Sequence, residues 1–118
     1  GFSERIRVRS IVGRYLEHSR ISRFGTPGVD AVYYIGSADL MVRNLDERVE
    51  ALVPVAEPAL TARLDEILSV NLADDVLAWE LLPDGSWKKV PTLVGVNTHR
   101  RLQELALSRA RGQEVELV

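Results

Sequence analysis

The chain has 118 residues, enough for a core without disulfide or metal staples, and an ordinary soluble-domain composition, 46% hydrophobic and 27% charged. It has no cysteine, which excludes disulfides, thiolate metal sites and a cysteine nucleophile, and its histidines, His18 and His99, lack the paired spacing of a zinc site. A net charge of -2 gives no global pull toward nucleic acid, and there is neither a membrane-length apolar run nor a signal-peptide pattern, so a soluble, cytoplasmic protein is expected.

No repeat, low-complexity tract or linker divides the sequence, which predicts one domain over residues 1–118. At the start, Ile6 and Val8 alternate as in a strand, while Ile11, Val12, Tyr15 and Leu16 share one helical face. A helix over about Arg9–Leu16 is predicted. Ser19–Phe24 and Ala31–Ile35 are β-type runs flanking Gly25-Thr26-Pro27-Gly28, the signature of a hairpin. Val49, Ala51, Val53 and Val55 alternate and predict a third strand with one buried face, which Pro54 confines to a sheet edge. Pro58 suits the first position of a helix whose Leu60, Leu64, Ile67 and Leu68 make an apolar stripe. Leu77–Leu82 and Ser86–Val90 flank Pro83-Asp84-Gly85, a second hairpin. Asn97 or Thr98 can cap a last helix that turns Leu102, Leu105 and Ala106 inward. The order α, β, β, β, α, β, β, α predicts an α/β (α+β) domain with a largely antiparallel or mixed sheet flanked by helices. No glycine-rich strand-to-helix fingerprint offers a Walker-type or Rossmann site.

Charge is unevenly spread. Arg5, Arg7, Arg9, Arg14, Arg20 and Arg23 crowd the first two dozen residues, where a basic surface suited to phosphate oxygens competes with the plainer reading of a solvated face. Beside them stand Glu17-His18-Ser19-Arg20 and, later, Gly36-Ser37-Ala38-Asp39. On a strand, His18 and Arg20 share a face, so that a guanidinium holding phosphoryl oxygens lies beside an imidazole able to attack or shuttle a proton. Gly36 permits close backbone approach, and Ser37 offers a hydroxyl and an amide to an anion. An exposed or purely structural histidine is the alternative. Trp79, Trp87, Tyr33, Tyr34, Phe2, Phe24 and Tyr15 do not interleave with a basic stripe, so packing rather than base stacking is expected, and no nucleic-acid partner. His99, beside Arg100 and Arg101 in the last helix, is read as structural.

A histidine, a basic residue two positions on, and a G-S-x-[ND] turn after the next strand resemble half of a phospholipase D-like phosphotransfer site, with Arg20 in place of the usual lysine. Glu50 lies where that superfamily often has a carboxylate orienting the histidine, and Asp39 is the other candidate. A closer resemblance covers nearly the whole chain. Ser3–Ile21, Tyr33–Met41, Arg43-Asn44-Leu45-Asp46 and Arg48-Val49-Glu50 are similar to the last domain of the long, type-1 polyphosphate kinases. Asn71-Leu72-Ala73-Asp74, Ala78-Trp79-Glu80-Leu81 and Pro83–Trp87 fit the tail of that domain.

The resemblance implies a phospholipase D-like half-domain, the second of two catalytic domains in a longer, homo-oligomeric chain. That enzyme, an ATP:polyphosphate phosphotransferase, reversibly moves the terminal phosphate of ATP onto inorganic polyphosphate, with magnesium, through a phosphohistidine on the other catalytic domain. His18 is then the second active-site histidine. Arg20, Ser37, Arg43 and Asn44 would contact ATP or polyphosphate phosphates, and Glu50 or Asp39 would orient the imidazole. The magnesium ligands and a further arginine are expected upstream of Gly1, and the isolated chain is expected to be inactive. A cytoplasmic location, with peripheral inner-membrane association allowed, goes with this reading. Glu47 departs from the family, which usually has a second arginine there, and Val42 occupies a common proline position. Two other readings remain open: a non-catalytic module that holds polyphosphate or a nucleotide, and a phospholipase D-like phosphodiesterase half-site completed by dimerisation.

Overall fold

A computed structural model of the chain describes residues 5–15, 20–36 and 52–116. Along it run β1 (Arg9–Ile11), β2 (Ile21–Phe24), β3 (Val32–Gly36), β4 (Leu52–Val55), α1 (Pro58–Ala73), β5 (Ala78–Leu81), β6 (Trp87–Lys89) and α2 (Thr98–Glu116). The α/β class holds. Among the described residues all strand pairings are antiparallel, and the strands divide between two three-stranded sheets, β2-β3-β4 and β1-β5-β6, rather than joining a single one. Two compact units are distinguished, residues 17–68 and residues 1–16 with 69–118.

In the unit of residues 17–68 the first hairpin forms as its turn chemistry predicts. Phe24 pairs with Val32 and Ile21 with Ile35. Gly25 and Gly28 take positive φ angles of 92° and 79°, and the Thr26 carbonyl accepts N–H bonds from Val29, Asp30 and Ala31. The Asp30 carboxylate closes the loop by accepting the Thr26 N–H at 2.7 Å. Pro54 sits opposite Tyr34 on edge strand β4, where its missing N–H costs no ladder bond. The expected buried face of β4 is incomplete: Val55, beside buried Tyr33, is half-buried, but Val53 is 52% exposed opposite Ile35, itself exposed. Val49 and Ala51, which would begin that strand, lie outside the described residues.

The first helix starts at Pro58, with the Glu57 carbonyl accepting the N–H groups of Leu60 and Thr61. Leu64, Ile67 and Leu68 are half-buried, whereas Leu60 is exposed, so the apolar stripe begins a turn later than its spacing predicts. Asp65 on α1 reaches two strands at once. It accepts Arg23 Nη1 at 2.9 Å on Oδ1 and the Tyr33 hydroxyl at 2.6 Å on Oδ2.

The unit of residues 1–16 and 69–118 overturns the predicted opening helix. Arg9, Ser10 and Ile11 pair with Glu80, Trp79 and Ala78, while Val12 N–H donates to the Leu77 carbonyl and Leu81 N–H to that of Val8. A distant strand thus satisfies the backbone of β1, where β-branched Ile11 fits the pleat, and the helical spacing is incidental. The second hairpin is as predicted, trimmed to Ala78–Leu81 and Trp87–Lys89. Gly85 takes a φ of 87°, and Asp84 accepts both the N–H and the hydroxyl of Ser86. Asn97 proves to be the cap of α2, its Oδ1 accepting the Arg100 N–H at 3.1 Å. Leu102 and Leu105 are half-buried, but Ala106 is exposed and does not join the inward face.

Candidate functional site

The register of the β2-β3-β4 sheet sets three chain positions side by side at one end. Ile21, Ile35 and Val53 lie in one row, and Gly36 pairs with Leu52. The Gly36 N–H donates to the Arg20 carbonyl at 3.3 Å, so Arg20, Gly36 and Leu52 form the next row. Arg20 is half-buried there. It is the predicted site residue that the described structure places. His18, Ser37, Asp39, Arg43, Asn44 and Glu50, with the departures Val42 and Glu47, lie outside the described residues.

The early arginines do not act as one basic face. Arg9 sends its guanidinium to the carbonyls of Leu72 and Asp74, at and just beyond the last turn of α1. There it satisfies orphan acceptors and complements the negative end of the helix dipole. Arg23 is paired with Asp65. These two are structural, while Arg5, Arg7 and Arg14 are exposed. The same cluster holds the Asp65 carboxyl below its ordinary pKa, chiefly through the Tyr33 hydroxyl, and raises the Tyr33 phenol. The aromatic side chains pack as expected: Tyr33 is buried and bonded to Asp65, and Phe24 meets Tyr34 edge-on with centroids 6.1 Å apart.

Two acidic residues that the sequence reading did not single out organise the other unit. Asp74 Oδ1 accepts the N–H groups of Val76, Leu77 and Ala78 at 2.9, 2.7 and 3.0 Å, and its Oδ2 accepts that of Thr98 at 2.7 Å. Burial opposes the Asp74 charge, but the bonds from Thr98, Leu77 and Val76 outweigh it and leave the pKa lowered. Asp75 is held in the same manner by four consecutive N–H groups, Leu93 to Val96, at 2.6 to 3.1 Å. Those bonds, Val94's first, keep its pKa far below the usual carboxylate range. The available signal was an Asp-Asp pair in the turn after a helix, a residue type whose side chain commonly accepts the N–H groups two or more residues on.

Both carboxylates are thereby saturated by backbone donors and do not suit a divalent cation. Among the described residues no group of three or more His, Asp or Glu side chains is placed to hold a metal ion. Nor is any described helix long and apolar enough to cross a membrane. His99 packs against Tyr15 with ring centroids 5.3 Å apart.

Residues 1–103 match the family described as polyphosphate kinase C-terminal domain 2. The chain is 50% identical over 115 residues to a polyphosphate kinase of Thermosynechococcus vestitus, covering 95% of this chain and 16% of that one. It is 46% identical over 111 residues to a polyphosphate kinase of Streptomyces coelicolor, covering 94% and 15%. The crystal structure of polyphosphate kinase from Porphyromonas gingivalis superposes with a TM-score of 0.84 at 30% identity, over 93% of this chain and 17% of that one. The chain thus spans about one-sixth of the length of the curated relatives it matches.

Proposed function

The chain belongs to the polyphosphate kinase family as its C-terminal domain 2, and from that premise we propose that it supplies half of the phosphoryl-transfer site of a longer kinase. The reaction breaks the bond between the β,γ-bridging oxygen and the γ-phosphorus of ATP. The phosphoryl group passes to a histidine nitrogen on another catalytic domain and then to the terminal oxygen of polyphosphate, leaving ADP. His18 is the second histidine: it stabilises charge on the transferring or leaving oxygens and manages a proton.

The observation that carries this reading is the row formed by Arg20, Gly36 and Leu52. His18 precedes Arg20 by two residues, Ser37 follows Gly36 directly, and Glu50 precedes Leu52 by two. These short separations along the chain, at about 3.8 Å per residue, support reading the three residues as one group. On this reading an imidazole from His18, the hydroxyl and amide of Ser37 and an orienting carboxylate from Glu50 would serve the same phosphoryl group. Arg20, with Arg43, would hold phosphate oxygens through the planar guanidinium fork, and Asn44 would add a polar contact. Magnesium, when bound, would neutralise charge on the ATP phosphates.

His18→Ala in the full-length enzyme should lower turnover by about 10²–10⁴-fold, the range of general acid–base assistance, with the fold retained. Arg20→Lys, which keeps the charge and loses the fork, should raise the KM for ATP or polyphosphate. Phosphate mapped to His18 in the working enzyme would overturn the division of roles. A near-normal rate for His18→Ala would leave the domain a module that holds its ligand without chemistry.

A further inference from the structure

The unit of residues 1–16 and 69–118 carries a hollow of about 220 Å³ bordered by Arg14 and Tyr15 beyond β1 and by Asn97, His99, Arg100 and Gln103 around the start of α2. No carboxylate is among the described residues lining it. Of the described acidic residues, Asp74 is engaged by backbone N–H groups and Glu104 faces Arg101 at 3.7 Å. Arg14 and Arg100 are exposed, and neither guanidinium has a hydrogen-bond or ion-pair partner among the described residues.

The wall between them is closely packed. The His99 ring lies tilted 59° against Tyr15, and Gly13 approaches so closely that a Cβ there would fall 2.7 Å from His99 Nδ1 and Cε1. The attraction comes from side chains rather than from the helix end, since the N–H groups of Thr98 and Arg100 are already given to Asp74 and Asn97. Two like charges lining one hollow favour an anion between them, and each guanidinium offers a fork matched to phosphate oxygens. Size selects among phosphate ligands, because about 220 Å³ is below the roughly 300 Å³ at which pockets begin to enclose a drug-sized molecule. A bare phosphate chain fits that limit better than a nucleoside does.

We infer that the hollow between Arg14 and Arg100 is an accessory subsite for inorganic polyphosphate, gripping phosphoryl units of the chain away from the reacting phosphate. The identity of the ligand rests on the kinase reading; the anion chemistry does not.

The test is equilibrium binding to the full-length enzyme of long-chain inorganic polyphosphate and, separately, of ATP as a non-hydrolysable analogue. Arg14→Gln/Arg100→Gln should weaken polyphosphate binding about 3- to 10-fold at low salt and flatten the log–log salt dependence by about one to two units, by analogy with lost phosphate contacts on nucleic acids. An unchanged thermal midpoint confirms that the double variant is folded. Unchanged polyphosphate affinity and salt slope would overturn the subsite, and a loss confined to ATP would overturn the assignment to polyphosphate. Because binding is read without turnover, this result stands apart from the effect of His18→Ala on catalysis.

Discussion

Asp75 shows how one side chain can replace a secondary-structure element. Its two oxygens hold the N–H groups of Leu93 to Val96, while its own N–H donates to the Val96 carbonyl and its carbonyl accepts the Thr92 hydroxyl at 2.6 Å. The Leu93–Val96 segment thereby gains partners without a ladder, even though Leu93 and Val94 are 88% and 84% exposed. The charge is the working part, so pH should report on it. A carboxyl with a lowered folded pKa contributes its stability above the unfolded value, near 3.9, and loses it as pH falls toward the folded value. Asp75→Asn should therefore be less stable than the parent near pH 6, and the gap should narrow below about pH 4. Urea unfolding at several pH values checks this, and a gap independent of pH would show that the charge contributes nothing.

Among the elements, the stretch just after β1 meets the first turn of α2 where Gly13 faces the His99 ring. Gly13 follows β1 with no room for a Cβ: besides the His99 ring, Leu77 Cδ1 would lie at 2.9 Å. Its φ is not positive, so glycine is required here for space and not for backbone conformation. Gly13→Ala should destabilise by about 1–3 kcal/mol through overpacking. In a His99→Ala background the cost should shrink, because one of the two obstructing side chains is gone. Chemical unfolding of the four species closes the cycle, and strict additivity would remove His99 as the obstacle. In the other unit, Asp65 joins α1 to β2 and β3 through Arg23 and Tyr33. Tyr33→Phe and Asp65→Ala should be strongly non-additive, since either alone breaks the shared bond.

At the scale of the molecule, the chain is about one-sixth of its curated relatives, and the proposed mechanism needs a histidine from another domain. The purified 118-residue chain should fold, make no polyphosphate from ATP, and take up no acid-labile phosphate. Turnover rising linearly with its concentration would overturn the half-site reading, and quadratic scaling would favour a self-dimerising phosphodiesterase-like site. The features legible in the sequence are local ones. Gly25, Gly28 and Asp84-Gly85 carry their turn geometry within a few residues, Pro58 starts α1 and Asn97 caps α2, so both hairpins and both helices were legible. The family was legible for a similar reason, since its motifs are contiguous runs. Tertiary structure decided whatever depends on distant partners. Arg9–Ile11 is a strand because Ala78–Glu80 lies beside it, the strands divide between two sheets, and Leu60 and Ala106 stay outside the packed faces. Arg9 and Arg23, which in sequence belong to a basic cluster, are consumed by a helix end and by Asp65. Asp74 and Asp75 gain their meaning only where folding brings the amides of residues 93–98 to them, and no sequence period encodes a bond made across about twenty residues of loop and strand.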